Sequence, residues 1–234
     1  MPRTVDPAGY AIRRDAFVDV ATGLIQTKGY EQMSIQDVLD ALDASRGAFY
    51  HYFGSKEDLL EAVLDRMIEG AMAIVRPVIE DPARTAPTKL REVFAGIAAF
   101  KERQRGLVLA FLDVWMSDRN AIVREKLRRR QGAALVDILE PVIAQGLRDG
   151  DFRTHDGPAT TVVLTGLMQA CGDDAARLVL AHRDGRVTYE EVRRRLEAYR
   201  VAFERILGAE PGSVRLLDDD ALRAWFESPA TVTT

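Results

Sequence analysis

Apolar residues recur at helical spacing along almost the whole chain, and nowhere do they alternate between the turn dipeptides that bound β-strands. A chain patterned in this way can bury its stripes only by packing helix against helix, so the fold class is all-α. The first helix is predicted over 11–28, with Ile12, Phe17, Val20, Ala21, Leu24 and Ile25 as its apolar stripe and Gly29 as its stop. Further helices are predicted at 34–42, 45–51, from 55 onward, 88–103, 106–117, 119–148, 157–183, 188–208 and 218–227. Pro77, Pro82 and Pro87 place a break near 77–88, and the helix that starts at 55 bridges towards it.

The segment 34–59, SIQDVLDALDASRGAFYHYFGSKEDL, carries the functional signal. Ser34 and Asp37 stand in the N-cap to N3 relation of a capping box, and Ile35, Val38, Leu39 and Leu42 form the buried face behind them. Asp43 and Ala44 form a tight turn, where a short Asp tolerates the left-handed backbone that glycine takes more cheaply. Ser45 then caps a short helix whose Phe49, with Phe53 just beyond it, turns inward while Arg46, Ala48, Tyr50 and His51 lie near its outer side. Two short helices joined in this way are the layout of a helix-turn-helix reader of DNA. Arg46 can fork onto guanine O6 and N7, and Gly47 and Ala48 let the backbone approach base edges and thymine methyls. Tyr50 and Lys56 suit phosphates, as do the N–H groups of the helix starts at Ser34 and Ser55. Arg13 and Arg14 fit the DNA backbone, the minor groove or solvent equally well.

Charge sharpens this reading. The net charge of −4 argues against a general nucleic-acid binder, and residues 1–56 hold six basic and seven acidic side chains. From 45 to 56, however, Arg46, His51 and Lys56 meet no acidic residue, so one edge is positive although the module is not.

On Gly29-Tyr30, Ser34, the apolar run to Leu42, Ser45, Gly47 and the exit FYHYFGSKEDL, the segment from about 13 to 67 resembles the DNA-binding region of the tetracycline-repressor-like (TetR) family of bacterial transcription regulators. It departs at Asp43, where the family usually has glycine, and at Ala44, where a larger aliphatic residue is common. The resemblance implies an N-terminal three-helix bundle at 1–56 bearing the helix-turn-helix, with the helix from 55 bridging to a C-terminal helical domain at 57–228 that holds a ligand cavity and dimerises through its last two long helices. Residues 229–234 are expected to be a disordered tail.

For the cavity, the residues of suitable character are Met67, Phe94, Phe100, Phe111, Trp115, Met116 and Met168, with Gln169, Cys171 and Asp173 as polar partners. For the dimer, Thr188 to Glu191 form a capping box, and Val192, Leu196, Tyr199, Phe203 and Ile206 follow as a seam; Gly166 on the preceding helix permits close approach. Core packing within one subunit competes with both readings. The expected function is a dimeric regulator, a repressor released from a palindromic operator by a small, largely apolar effector. The alternative is a helical enzyme or adaptor that keeps the fold without DNA control, but the chain has no GxSxG, phosphate-cradling loop or HExxH. No cofactor or metal is expected, since the single Cys171 has neither a second cysteine nor a nearby histidine. The most apolar stretch, 158–171, is too short and too polar to span a bilayer, and the N-terminus lacks a signal-peptide pattern, so the expected location is the cytoplasm.

Overall fold

The computed structural model describes residues 7–116, 121–216 and 219–227. These form ten α-helices: α1 (Pro7–Lys28), α2 (Ile35–Leu42), α3 (Arg46–Tyr52), α4 (Lys56–Glu80), α5 (Ala86–Arg103), α6 (Arg105–Met116), α7 (Ala121–Asp149), α8 (Gly157–Arg183), α9 (Tyr189–Leu207) and α10 (Asp219–Glu227). No strand occurs among the described residues. None of the described helices is long and apolar enough to cross a membrane. The tail 229–234 lies outside the described residues.

Contacts divide the chain into two compact units, Met1–Glu69 with Gln104–Leu127, and Gly70–Arg103 with Arg128–Thr234. The residues of α4 are therefore shared between the two, and α6 groups with the first. A functional boundary near residue 56 is a different property from contact grouping, and it belongs to the proposal below.

In the first unit, α1 starts at Pro7, four residues before the periodicity becomes apolar. Proline there forgoes only an N–H that has no helical partner, and its fixed φ suits a first turn. Phe17, Val18, Ala21 and Ile25 are its buried stripe. The capping box of α2 is fully formed. Ser34 Oγ accepts from the Asp37 N–H at 3.1 Å, and the Asp37 carboxylate accepts from the Ser34 N–H at 2.7 Å. At the other end Asp43 takes φ 48° and ψ 44°, and the Ala44 N–H reaches back to the Leu39 carbonyl at 3.0 Å. Asp43 is the one non-glycine residue with positive φ among the described residues, as the tight turn requires.

In the second unit, Val75, Leu90, Phe94, Leu139, Ile143, Leu164, Phe203 and Leu207 are buried together. The break expected over 77–88 is narrower than that. α4 runs through Pro77 to Glu80, because a proline so close to a helix end costs little beyond one backbone bond. Lys89 is buried and donates its Nζ to the Ile79 carbonyl at 2.6 Å, capping that end. α9 ends on Gly208 at φ 62°, where a Cβ would stand 2.6 Å from the Arg153 carbonyl oxygen.

The seam read on α9 is largely closed within its own chain. Val192, Leu196 and Phe203 are buried in the second unit, where α9 packs along α8. Tyr199 and Ile206 keep partial exposure, and Gly166 is exposed. A four-and-three apolar spacing marks a stripe that must be covered but does not say by what, and here the same chain covers most of it.

Replacing Asp43 by valine, whose branched Cβ resists the left-handed region, is expected to lower the unfolding free energy by about 1–2 kcal/mol. Urea denaturation followed by circular dichroism measures this; an unchanged midpoint would mean that the turn is not under that constraint.

Candidate nucleic-acid interface

Seven residues make a helix too short to be stable alone, so α3 owes its place to packing. Phe49 is fully buried, and its ring lies 5.9 Å from Phe17 and 5.7 Å from Phe53, centroid to centroid, in edge and tilted arrangements. With Phe49 inward, Gly47 and Tyr50 fall on the outer side of the helix, and Arg46, in its first turn, is exposed as well. Tyr50 is 57% exposed although its ring edge touches Phe49 at 5.3 Å. Ser45 caps the helix by accepting from the Ala48 N–H at 3.2 Å, and no acid occupies the first turn.

Each predicted contact residue then has a definite place. Ser45, Arg46, Gly47, Tyr50 and His51 are exposed, Ala48 is half-buried against the core, and no partner among the described residues holds the Arg46 guanidinium. A side chain at Gly47 would stand almost in open space, its nearest neighbour being Ser45 Oγ at 3.9 Å. The absent side chain leaves the helix surface bare for close approach.

Ser34 lies differently. Its hydroxyl already accepts from the Asp37 N–H and donates to the Asp37 carboxylate. Burial is minimal at Asp37, and hydrogen bonds from Lys28 and Ser34 hold its carboxyl well below the usual range. An anion at the start of α2 would meet that fixed negative charge. At the start of α4 the Ser55 hydroxyl accepts from the Asp58 N–H, while the Asp58 carboxylate accepts from the Gly54 N–H.

Lys56 is half-buried. Its ammonium donates to the Glu31 carbonyl at 3.3 Å and lies 4.3 Å above the Tyr30 ring, and this burial lowers its pKa. Lys56 thus ties the exit of the motif to the loop after α1 and keeps only part of its donor capacity for a phosphate.

Tyr10 is a contributor that sequence reading missed. Its ring packs 5.5 Å from His51 and 4.7 Å from Tyr52, centroid to centroid, so α1 steadies the imidazole. Arg13, Gly47, Ala48, His51 and Tyr52 line one shallow concavity between α1 and α3, with Asp43 on its wall. Arg14 instead stacks over Phe53 at 5.3 Å. Of the two arginines it is Arg13 that shares a surface with α3. No local signal links Tyr10 to His51, because the contact spans some forty residues.

An exposed, polar-tipped helix face, fixed by a buried aromatic and presented by a capped partner helix, is a surface built to enter a groove. Residues 17–63 match the family model described as bacterial regulatory proteins, tetR family. The chain carries a DNA-binding domain of the TetR family over that segment. It is a DNA-binding transcription regulator and not an enzyme.

Among the TetR relatives, the HTH-type transcriptional repressor KstR2 of Rhodococcus jostii is 22% identical over 163 residues, covering 65% of this chain and 74% of its own. The repressor of the same name from Mycolicibacterium smegmatis is 26% identical over 150 residues, covering 63% of this chain and 71% of its own. In fold, the chain is similar to Salmonella enterica GusR, with a TM-score of 0.59 at 18% identity over 88% of this chain and 99% of that one.

The residues expected to line an effector cavity divide between the two units. Met67 and Phe111 pack against the core of the first unit. Phe94, Phe100, Met168, Gln169, Cys171 and Asp173 belong to the second unit. Phe94 is core, edge-on to Phe203 at 5.8 Å. Gln169 spends its amide on the Arg128 carbonyl at 2.7 Å. Phe100 is half-buried, Cys171 is buried and Asp173 is half-buried. The side chains of Trp115 and Met116 lie outside the described residues.

Because the Asp37 carboxyl is held below its ordinary pKa, its contribution to stability is present above about pH 4, the value of a free carboxyl, and is lost as the pH falls through the depressed value. Asp37→Asn is therefore expected to lower Tm at pH 7, with the gap to wild type narrowing progressively below pH 4. Melting curves across that range test this; a gap that widens on acidification would contradict it.

Proposed function

We propose that this regulator is a homodimeric repressor whose two copies of α3 read the half-sites of a palindromic operator, and that a small effector held by the C-terminal part releases it. The observation that carries the DNA-reading part is the outward face of α3. Arg46, Gly47, Ala48, Tyr50 and His51 belong to a helix that itself holds no acid, with Ser45 capping it, and with Arg13 and Asp43 on the wall of the concavity beside it. Arg46 supplies bidentate readout, and Tyr50, His51 and the remaining donors of Lys56 supply phosphate and groove contacts. Ser34 acts by fixing α2 through its capping box rather than by binding phosphate. The repressor assignment follows the names of the KstR2 relatives. In this reading the DNA-binding domain ends near residue 56, and α4, which contributes residues to both units, carries the effector's influence to the reader.

Two copies are needed because a single short helix touches too few base pairs for useful specificity. The surface best suited to pair them is the outer face of α8, where Val162 is 69% exposed, Val163 is 54% exposed and Gly166 and Ala170 continue the Val162 row at spacings of four. Tyr199 lies next to that row, its hydroxyl 3.5 Å from the Ala170 carbonyl.

Two measurements test this reading. Arg46→Ala is expected to weaken binding to DNA from upstream of the gene by about tenfold or more in fluorescence anisotropy, in line with loss of one bidentate base contact. Affinity equal to wild type would remove Arg46 from the interface. Val162→Arg is expected to turn a dimer into a monomer in light scattering, and a dimer that survives it would exclude this face of α8.

A further inference from the structure

Both ring nitrogens of His182, in the last turn of α8, face carbonyl oxygens. Nδ1 lies 2.9 Å from the Val187 oxygen and Nε2 lies 3.0 Å from the Phe226 oxygen. A neutral imidazole carries one N–H and one lone pair, so it bonds to one carbonyl and sets its lone pair against the other. Only the imidazolium donates to both.

The two carbonyls are not equally free to move. Val187 follows a turn closed by backbone bonds from the Asp184 N–H to Leu180, from Gly185 to His182 and from Arg186 to Ala181, and it leads directly into the Thr188 capping box of α9. Its oxygen is therefore fixed beside the ring. Phe226 lies in the last turn of α10, where a carbonyl has no partner further along the helix. α10 has nine residues, too few to stand alone, and is held by packing on α5 and α8 with Leu222 and Phe226 buried. The Phe226 ring meets the His182 ring at 5.5 Å, centroid to centroid, and a cation at this place also suits the negative end of the α10 dipole. Whichever nitrogen keeps the proton in the neutral ring, the contact between lone pair and oxygen is relieved most readily by movement of α10.

The charged groups around the ring come from every neighbouring element. α8 and its turn bring Arg183 and the Asp184–Arg186 pair, and α9 brings Tyr189, whose ring rests on Phe226 and beneath Arg223 of α10. Arg193 of α9 acts on Asp219 of α10, Glu227 follows Phe226, and α5, packed on α10, ends in Lys101, Glu102 and Arg103. Neither ring nitrogen is bonded by any of them.

We propose that His182 is a pH-sensitive latch for α10: as imidazolium it ties the Phe226 carbonyl to the turn between α8 and α9, and on losing its proton it lets α10 detach. Lowering the pH through the ordinary imidazole range, near about 6.5, tightens the latch, and raising it loosens the latch. Detachment uncovers the apolar surface beneath Leu222 and Phe226.

Hydrogen exchange of the α10 amides, followed on the full chain from about pH 5.5 to about pH 8 and corrected for the intrinsic pH dependence of exchange, reads the latch directly. In wild type, protection of α10 is expected to fall about tenfold across this range, the scale of a hydrogen bond to a charged group. His182→Gln is expected to abolish the step. The chain has three histidines, and the double variant His51→Gln/His155→Gln, in which His182 is the one left, is expected to keep it. That variant decides the matter even if His182→Gln leaves α10 undocked at every pH. Unchanged protection in wild type, protection that rises with pH, a step that survives His182→Gln, or a step lost from the double variant would overturn the proposal.

Discussion

The burial of Phe49 is the constraint on which the DNA-reading surface depends. α3 cannot hold itself together with seven residues, so its orientation is set by this one ring wedged against Phe17 and Phe53. A buried phenylalanine of this kind contributes about 3–5 kcal/mol, a large part of the stability of a small module. The same contact decides which side of α3 faces out, and with Phe49 inward Gly47 and Tyr50 fall on the exposed side. The left-handed Asp43 and the Ser34 capping box fix the partner helix that closes the core from the other side. Packing and function are therefore one problem here: the aromatic that stabilises the module also aims the reader.

The charge balance of this segment follows from the same architecture. By count, residues 1–56 are slightly acidic, which would weaken attraction to DNA. Most of these acids have structural work. Asp37 pairs with Lys28 and caps α2, Asp15 and Asp19 pair with Arg66, and Asp40 accepts from Gln36. Arg46 has no such partner among the described residues, and Arg13 lines the concavity beside it. Three of the seven acids, Asp15, Asp19 and Asp37, are paired with cations, while the guanidinium of Arg46 is held by none of the described residues. Net charge is a poor guide where individual charges are so unequally engaged.

What could be read in the sequence tracks how local the determining interaction is. The all-α fold, the helix starts at Ser34, Ser45 and Thr188, and the strained turn at Asp43 all rest on contacts within a few residues, and each has the expected geometry. The inward Phe49 was legible too, from the apolar periodicity. Readings that depended on distant partners fared less well. Lys56 looked like a free phosphate ligand because nothing in its neighbourhood announces Tyr30 and the Glu31 carbonyl. Tyr10 gave no sign of its contact with His51. The α9 seam of Val192, Leu196 and Phe203 was legible as an apolar stripe, but its burial inside its own unit depends on packing that spacing does not specify.

In the function proposed here, affinity for DNA rests on a narrow edge rather than on a broad basic face. A reader of that kind gains little from non-specific attraction and must gain most from sequence. The most direct test is a competition measurement near physiological salt, in which labelled duplex from upstream of the gene is displaced by its own unlabelled copy or by a shuffled duplex of equal length and composition. A specific reader predicts that the shuffled competitor is weaker by roughly a thousandfold or more. Equal displacement by the two duplexes would contradict the assignment of α3 as a sequence-reading helix.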